Sequence, residues 1–350
     1  MGKAHLNFYC WMGYSLFLMP LLVSFIISTL LLIVFILVNR RCAIRDSRIT
    51  KRHLHKKGIS RFGGIALIIA FVITILLDKN LVINTPLLGV LIGSGAILIL
   101  GFVDDIRQLS WKTQLFFQLA IVMLVYIMGN GLAYISNPFG GVFLLSSGIG
   151  YVIGFLIAII WVVFLMNAIN WVDGVDGVSG GITFIGVVTV FILSFRPEVN
   201  QPPIAIITAA LMGCFAAFLF FNFHSAKIMA GTSGSMFMGF ILAILAIFAG
   251  AKIATTLLVL AVPIIDALWV ITERFRAGDS IFAPDKRHLH FRLLELGWSV
   301  KKICLFYYAI TVIVAVIALN TNAVGKIIGF ALVALFMAAV LFVIRIKKHA

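Results

Sequence analysis

Charge is scarce in this 350-residue chain: Lys, Arg, Asp and Glu together make up 11% of it, where a soluble globular domain carries about a quarter. With 63% hydrophobic residues and a mean hydropathy of +1.17, a water-soluble globule is excluded, and lipid must be the solvent for most of the surface. Cysteine is nearly absent too. Cys10, Cys42, Cys214 and Cys304 show no paired spacing and read as small core hydrophobes. There is no small-residue cleavage site after the first apolar run, Tyr14 to Val38. That run is too long for a signal-peptide core and ends in a basic cluster, so it reads as a membrane span. No soluble domain, low-complexity tail or trustworthy internal repeat stands out, and residues 1–350 read as one transmembrane domain.

What is present is apolar sequence in blocks. A helix needs roughly 20 apolar residues to cross ~30 Å of hydrocarbon. Eleven stretches qualify or nearly do: 14–38, 62–77, 86–103, 113–129, 149–169, 181–195, 204–223, 235–250, 253–271, 303–319 and 325–344. Several are short and the turn at 250–253 is tight, so ten is the other count. The expected fold is an all-α, polytopic membrane helical bundle. With the N-terminus outside, 22 of the 27 basic residues fall on one side. That bias marks the cytoplasm and puts the C-terminus there. Ten of the twelve acids fall with them, Asp266 inside a span near its cytoplasmic end. The chemistry is therefore expected at the cytoplasmic face. The surplus of +15 reads as membrane orientation and attraction for anionic lipid or substrate. Nucleic-acid binding would need aromatic platforms or a known motif, and neither is seen.

Four connections carry polar residues that topology alone does not require. The third span ends in Asp104-Asp105, followed by Lys112. Adjacent carboxylates at a membrane boundary are costly, so the pair reads either as a cation- or phosphate-handling site or as a solvated span end. Asn167, Asn170, Asp173-Gly174 and Asp176-Gly177 follow at three-residue spacing, which puts the asparagines on one helix face. Amide and carboxylate oxygens suit Mg²⁺, and the glycines permit close backbone approach to phosphate. A plain polar turn explains one Asp-Gly, not two behind two asparagines. Gly231-Thr232-Ser233-Gly234-Ser235 precedes a helix, which suits an anion but also an ordinary cap. The long loop near 272–302 holds Lys286, Arg287, His288, His290 and Arg292. The arginines can grip phosphate, and the histidines read as solvated loop residues or as donors to sugar and phosphate. The first basic loop adds His53, His55, Lys56, Lys57, Arg61, Gly63 and Gly64, for most of which a topology signal suffices.

In chain order, from about residue 50 to 300, these motifs resemble the polyprenyl-phosphate N-acetylhexosamine-1-phosphate transferase family. Asp104-Asp105 are similar to its aspartate pair, and Asn167 to Gly177 to its Asn-x-x-Asn-x-x-Asp-Gly-x-Asp-Gly motif. His288-Leu289-His290 resembles the histidine motif of the branch that loads GlcNAc-1-phosphate onto undecaprenyl phosphate, Lys57 with Gly63-Gly64 resembles the family's first cytoplasmic loop, and Lys112 resembles a phosphate-contacting lysine. Two positions depart: Thr232 stands where the family has a metal-binding Asp, and Phe291 where it has a further His. The resemblance implies a bacterial inner-membrane phosphotransferase, multi-pass, that moves a sugar-1-phosphate from a UDP-sugar to polyprenyl phosphate and releases UMP. It implies Mg²⁺, with Mn²⁺ as the alternative, at Asp105 and Asn170. Asp104, Asp105, Lys112 and Asn170 would be catalytic. Lys57, Asn167, Asp173, Asp176, Arg287, His288, His290 and Arg292 would bind substrate. A second copy of the chain is a further expected partner. The rival expectations are a catalytically impaired relative that binds lipid phosphate or nucleotide as a regulator, and a transporter or flippase.

Overall fold

A computed structural model describes residues 3–42, 59–137, 140–249, 252–280 and 286–349. Lys57 and its neighbours His53, His55 and Lys56 lie outside the described residues. Helices dominate: α1 (Lys3–Cys42), α2 (Gly63–Leu77), α3 (Thr85–Arg107), α4 (Trp111–Ile127), α5 (Gly148–Val172), α6 (Val178–Ser194), α7 (Pro202–Asn222), α8 (Gly231–Phe248), α9 (Ile253–Val259), α10 (Ala261–Arg276), α11 (Leu289–Glu295), α12 (Val300–Asn320) and α13 (Ala323–His349). All eleven expected segments fall on helices. Seven are long and apolar enough to cross a membrane, and α9 with α10 makes an eighth if the two form one span. α2, α4 and α6 are apolar but shorter.

Short polar residues start several of these helices where the apolar runs begin. Asn84 accepts from the Leu87 N–H (3.0 Å), Ser110 from Thr113 (3.2 Å) and Ser299 from Lys302 (3.3 Å), each satisfying an N–H that has no partner within its helix. At the centre is α8, in which every residue from Ser233 to Ile247 is buried. A helix apolar all round belongs inside a bundle; α2, α3, α5 and α6 surround this one. α1 packs chiefly along α7 on the outside of the bundle.

Three features were not anticipated. The expected span 253–271 is broken: α9 and α10 meet at 76°. Pro263 in the first turn of α10 has no N–H to donate to the Val259 carbonyl, so the helix ladder lapses where the chain turns. The connection after α4 contains a hairpin, β1 (Tyr134–Ser136) against β2 (Val142–Leu144), antiparallel with Ile135 opposite Phe143. Within the basic 272–302 loop, the short α11 lies across the end of the bundle, with Leu289, His290, Phe291 and Leu293 buried.

Candidate active site

Close backbone approach builds the site's floor. A Cβ on Gly101 would fall 2.2 Å from the Cα of Ser233, and one on Gly64 2.1 Å from the amide nitrogen of Gly234. Without side chains there, the end of α3 and the start of α2 close directly onto the first turn of α8. The Gly63 and Gly64 N–H groups donate to the Met229 and Ala230 carbonyls (3.0 and 2.9 Å), and Met229 N–H donates to Ser60 (2.8 Å). Gly63, Gly64 and Gly234 thus serve helix–helix contact.

This contact brings Thr232 onto the aspartate pair. Its N–H reaches both carboxylate oxygens of Asp105 (3.1 and 3.0 Å), and its hydroxyl donates to Oδ2 of Asp104 (2.7 Å). Oδ1 of Asp104 accepts from the Leu109 N–H (2.9 Å) and from Nε2 of Gln114 (2.8 Å). Asp104 is therefore buried and bonded at both oxygens. One turn along α8, the Ser235 hydroxyl donates to Oδ1 of Asn170 (2.6 Å), so Asn170 and Asp105 flank the same helix end. Lys112 is exposed, its ammonium 5.7 Å from the centre of the Trp111 ring. From this stretch it is the Leu109 N–H and the Gln114 side chain that touch Asp104.

The double Asp-Gly loop divides its labour. Asp173 accepts from the Ser179 hydroxyl. Burial pushes its carboxyl up to about 7; the Ser179 hydrogen bond and Arg61 oppose the rise, while the charges of Asp105 and Asp176 add to it. Asp176 is buried, accepting from the Ala226 N–H (3.1 Å) with His224 Nδ1 at 3.3 Å. It ties the loop to the connection before α8. Asn167 forms an amide pair with Gln118 (2.8 Å) and donates to the Val163 carbonyl (2.8 Å), inside the bundle. These contacts give Asn167 and Asp176 structural partners where substrate contacts were expected.

The histidine segment docks onto the same loop. A Cβ on Gly174 would fall 2.6 Å from Nε2 of His290 and 2.9 Å from Phe291, so the first Asp-Gly glycine seats that ring. Phe291 packs 4.2 Å from the His290 ring, centre to centre. His288 lies 6.0 Å from the Trp171 ring and 5.8 Å from His290. Arg287 pairs with Asp279 (2.5 Å) and Arg292 with Glu273, so both expected phosphate grips carry carboxylate partners. Sequence reasoning missed Gln114, Glu273, the buried Arg274 near Trp171 and the part played by Asp266. Only Asp266 carried a usable signal: an acid inside an apolar span is costly unless it has work to do. Asp105, Asn170, Asp173, His288 and His290 thus gather at one end of the bundle, although they come from connections far apart in the chain.

Residues 87–250 match the family model for glycosyl transferase family 4. The chain is 30% identical, over 85% of its length and 84% of the relative's, to a Bacillus subtilis protein named "Probable undecaprenyl-phosphate N-acetylglucosaminyl 1-phosphate transferase". The chain belongs to glycosyl transferase family 4. Another relative is the decaprenyl-phosphate N-acetylglucosaminephosphotransferase of Mycobacterium leprae, 31% identical over 91% of this chain and 87% of that one. The phospho-N-acetylmuramoyl-pentapeptide-transferase of a Geobacillus strain is 29% identical over 86% and 96%. The segment matching the glycosyl transferase family 4 model takes in the aspartate pair, the double Asp-Gly loop and Thr232, and stops short of the histidine segment.

Proposed function

We propose that this protein transfers an N-acetylhexosamine-1-phosphate from a UDP-sugar to a polyprenyl phosphate, and so starts a lipid-linked envelope glycan. An oxygen of the lipid phosphate bonds to the β-phosphorus of the UDP-sugar, the bond from that phosphorus to the bridging oxygen breaks, and UMP leaves with the electron pair. The observation that carries this reading is the gathering of Asp105 and Asn170 around the first turn of α8, with Asp173 near enough to feel the charge of Asp105, at a bundle end where a lipid headgroup and a soluble nucleotide can meet. Phosphoryl transfer of this kind needs mainly positioning and charge neutralisation.

The chain's own groups suit those tasks. Asp104, held at both oxygens, is a positioning residue that fixes the end of α3. Asp105, whose oxygens accept from the Thr232 N–H, keeps lone pairs for a ligand, as does Asn170. Hard oxygens of this kind fit Mg²⁺ or Mn²⁺. Among the described residues no three His, Cys, Asp or Glu side chains converge on one point, so Asp105 and Asn170 would share the ion with water and substrate phosphates. When bound, the cation supplies neutralisation of the diphosphate charge. His288 and His290 border the sugar and diphosphate side. Lys57 and Lys112 remain candidates for phosphate contact from the flanking loops.

The same proposal includes eleven crossings of a bacterial inner membrane, with the short helices α2, α4 and α6 among them, the N-terminus outside and the C-terminus inside. The lopsided distribution of Lys and Arg supports it. Purified protein given undecaprenyl phosphate, a UDP-HexNAc panel and either Mg²⁺ or Mn²⁺ is expected to release UMP. Asp105→Asn should slow release by about 10²–10³-fold, the cost typical of losing one electrostatic contact to a transition state. Failure of every UDP-HexNAc to yield UMP with either metal overturns the enzyme reading and leaves a binding protein, with Thr232 in place of the carboxylate as the reason.

A further inference from the structure

Asp266 is a carboxylate with no exposed surface, set in apolar α10, and the reaction outlined above gives it no task. Its two oxygens go to different partners. Oδ1 accepts from the Leu289 N–H (2.8 Å), and Oδ2 lies 2.8 Å from Nδ1 of His288, itself only 3% exposed. The first contact suffices to pin the start of α11. The second commits a buried charge to one nitrogen of one imidazole. A carboxylate oxygen can only accept, so the ring must carry its proton at Nδ1. Among the described residues no hydrogen bond takes the other nitrogen, Nε2. The ring plane is fixed as well: it lies within 6° of parallel to His290, with Trp171 on another side, and Trp171 directly follows Asn170.

The other acids near this segment behave differently. Glu273 and Asp279 pair with the flexible arginines 292 and 287 and are partly or largely exposed, as ordinary loop clamps are. Asp266 is withdrawn from water and spent on an imidazole that is itself buried, unlike Asp176, whose imidazole partner His224 is 38% exposed. Orientation of a ring by a buried acid behind it is a recurrent way to hold a histidine in one tautomer.

We propose that Asp266 is the positioning residue for His288: it fixes the Nδ1–H tautomer and the ring plane, so that Nε2 is the atom offered to the sugar-diphosphate substrate. This rests on the transferase reading for its substrate, whereas the tautomer itself does not. The discriminating variant is Asp266→Asn. Its amide oxygen can still accept from Leu289, while its NH₂ must donate to Nδ1 and drive the ring proton to Nε2. With ¹⁵N-histidine labelling, and His288→Ala to assign the signal, the wild-type protein should show a protonated Nδ1 at His288 and the Asn variant an unprotonated one. UMP release should fall about 10–100-fold with an unfolding midpoint close to that of the wild type. In a His288→Ala background the same change should alter the rate by less than twofold, because the two residues act as one unit. An unmoved nitrogen signal overturns the proposal, and so does an undiminished rate with the tautomer reversed. So does an equal loss with and without His288, which would mark Asp266 as a mere cap. If the wild-type chain makes no UMP at all, the transferase reading falls, and the nitrogen spectra still decide whether Asp266 sets the ring.

Discussion

Two side chains show how little room the site leaves for substitution. Thr232 contributes a hydroxyl to Asp104 and an amide to Asp105. Removing only the hydroxyl, in Thr232→Val, takes from the buried Asp104 the hydrogen bond that its Oδ2 accepts from Thr232. The expected cost is about 1–3 kcal/mol, seen as a lower unfolding midpoint in detergent, while Thr232→Ser should stay near wild type. Asp173 makes a pH prediction. Its carboxyl is raised from 3.8 to about 7 in the folded chain. Between those two values the unfolded chain has given up the proton and the folded chain still holds it, so stability falls as pH rises through that window and levels off above it. Asp173→Asn should abolish this contribution. Its gain in unfolding midpoint over wild type should be larger at pH 8 than at pH 4.5, and an equal gain at both would show that Asp173 ionises normally.

Among the elements, the junction of α2, α3 and α8 decides whether the site exists. Gly101→Ala would put a methyl 2.2 Å from the Cα of Ser233, and backbone cannot yield as a side chain can. Overpacking of this kind costs about 1–3 kcal/mol or more. Here it should also part Asp104 and Asp105 from Thr232, so thermal stability and UMP release should fall together. Helix positions were legible in the sequence because long apolar blocks separated by polar connections leave few other readings. The break at Pro263 was not, because the proline stands inside an apolar run and the run alone looks continuous. The polar motifs were legible as a set, since two Asp-Gly pairs behind two asparagines are rare by chance. Their individual partners were not. Gln114 meets Asp104 ten residues away, Thr232 meets it 128 away and Asn167 meets Gln118 49 away. No local spacing encodes such contacts. The arginines at 287 and 292 read as free cations because their carboxylate partners come from α10 and its end.

For the whole molecule, the orientation proposal is the most exposed to test. In a chain whose native cysteines are replaced, Asn200→Cys, between α6 and α7, should react with a membrane-impermeant maleimide added outside intact cells. Asp279→Cys, beyond α10, should react only after permeabilisation. The opposite pattern would invert the topology and move the site to the far face. A folded site also depends on segments that are distant in time as well as in sequence. Asp104 and Asp105 leave the ribosome 128 and 127 residues before Thr232, a delay of about 6–25 s at ordinary synthesis rates. Throughout that interval the nascent chain holds two carboxylates at the edge of the bilayer without the helix start that receives them. Until α8 arrives those carboxylates rely on water and on the α3–α4 connection, and a chain interrupted before residue 231 is expected to be cleared by membrane proteases.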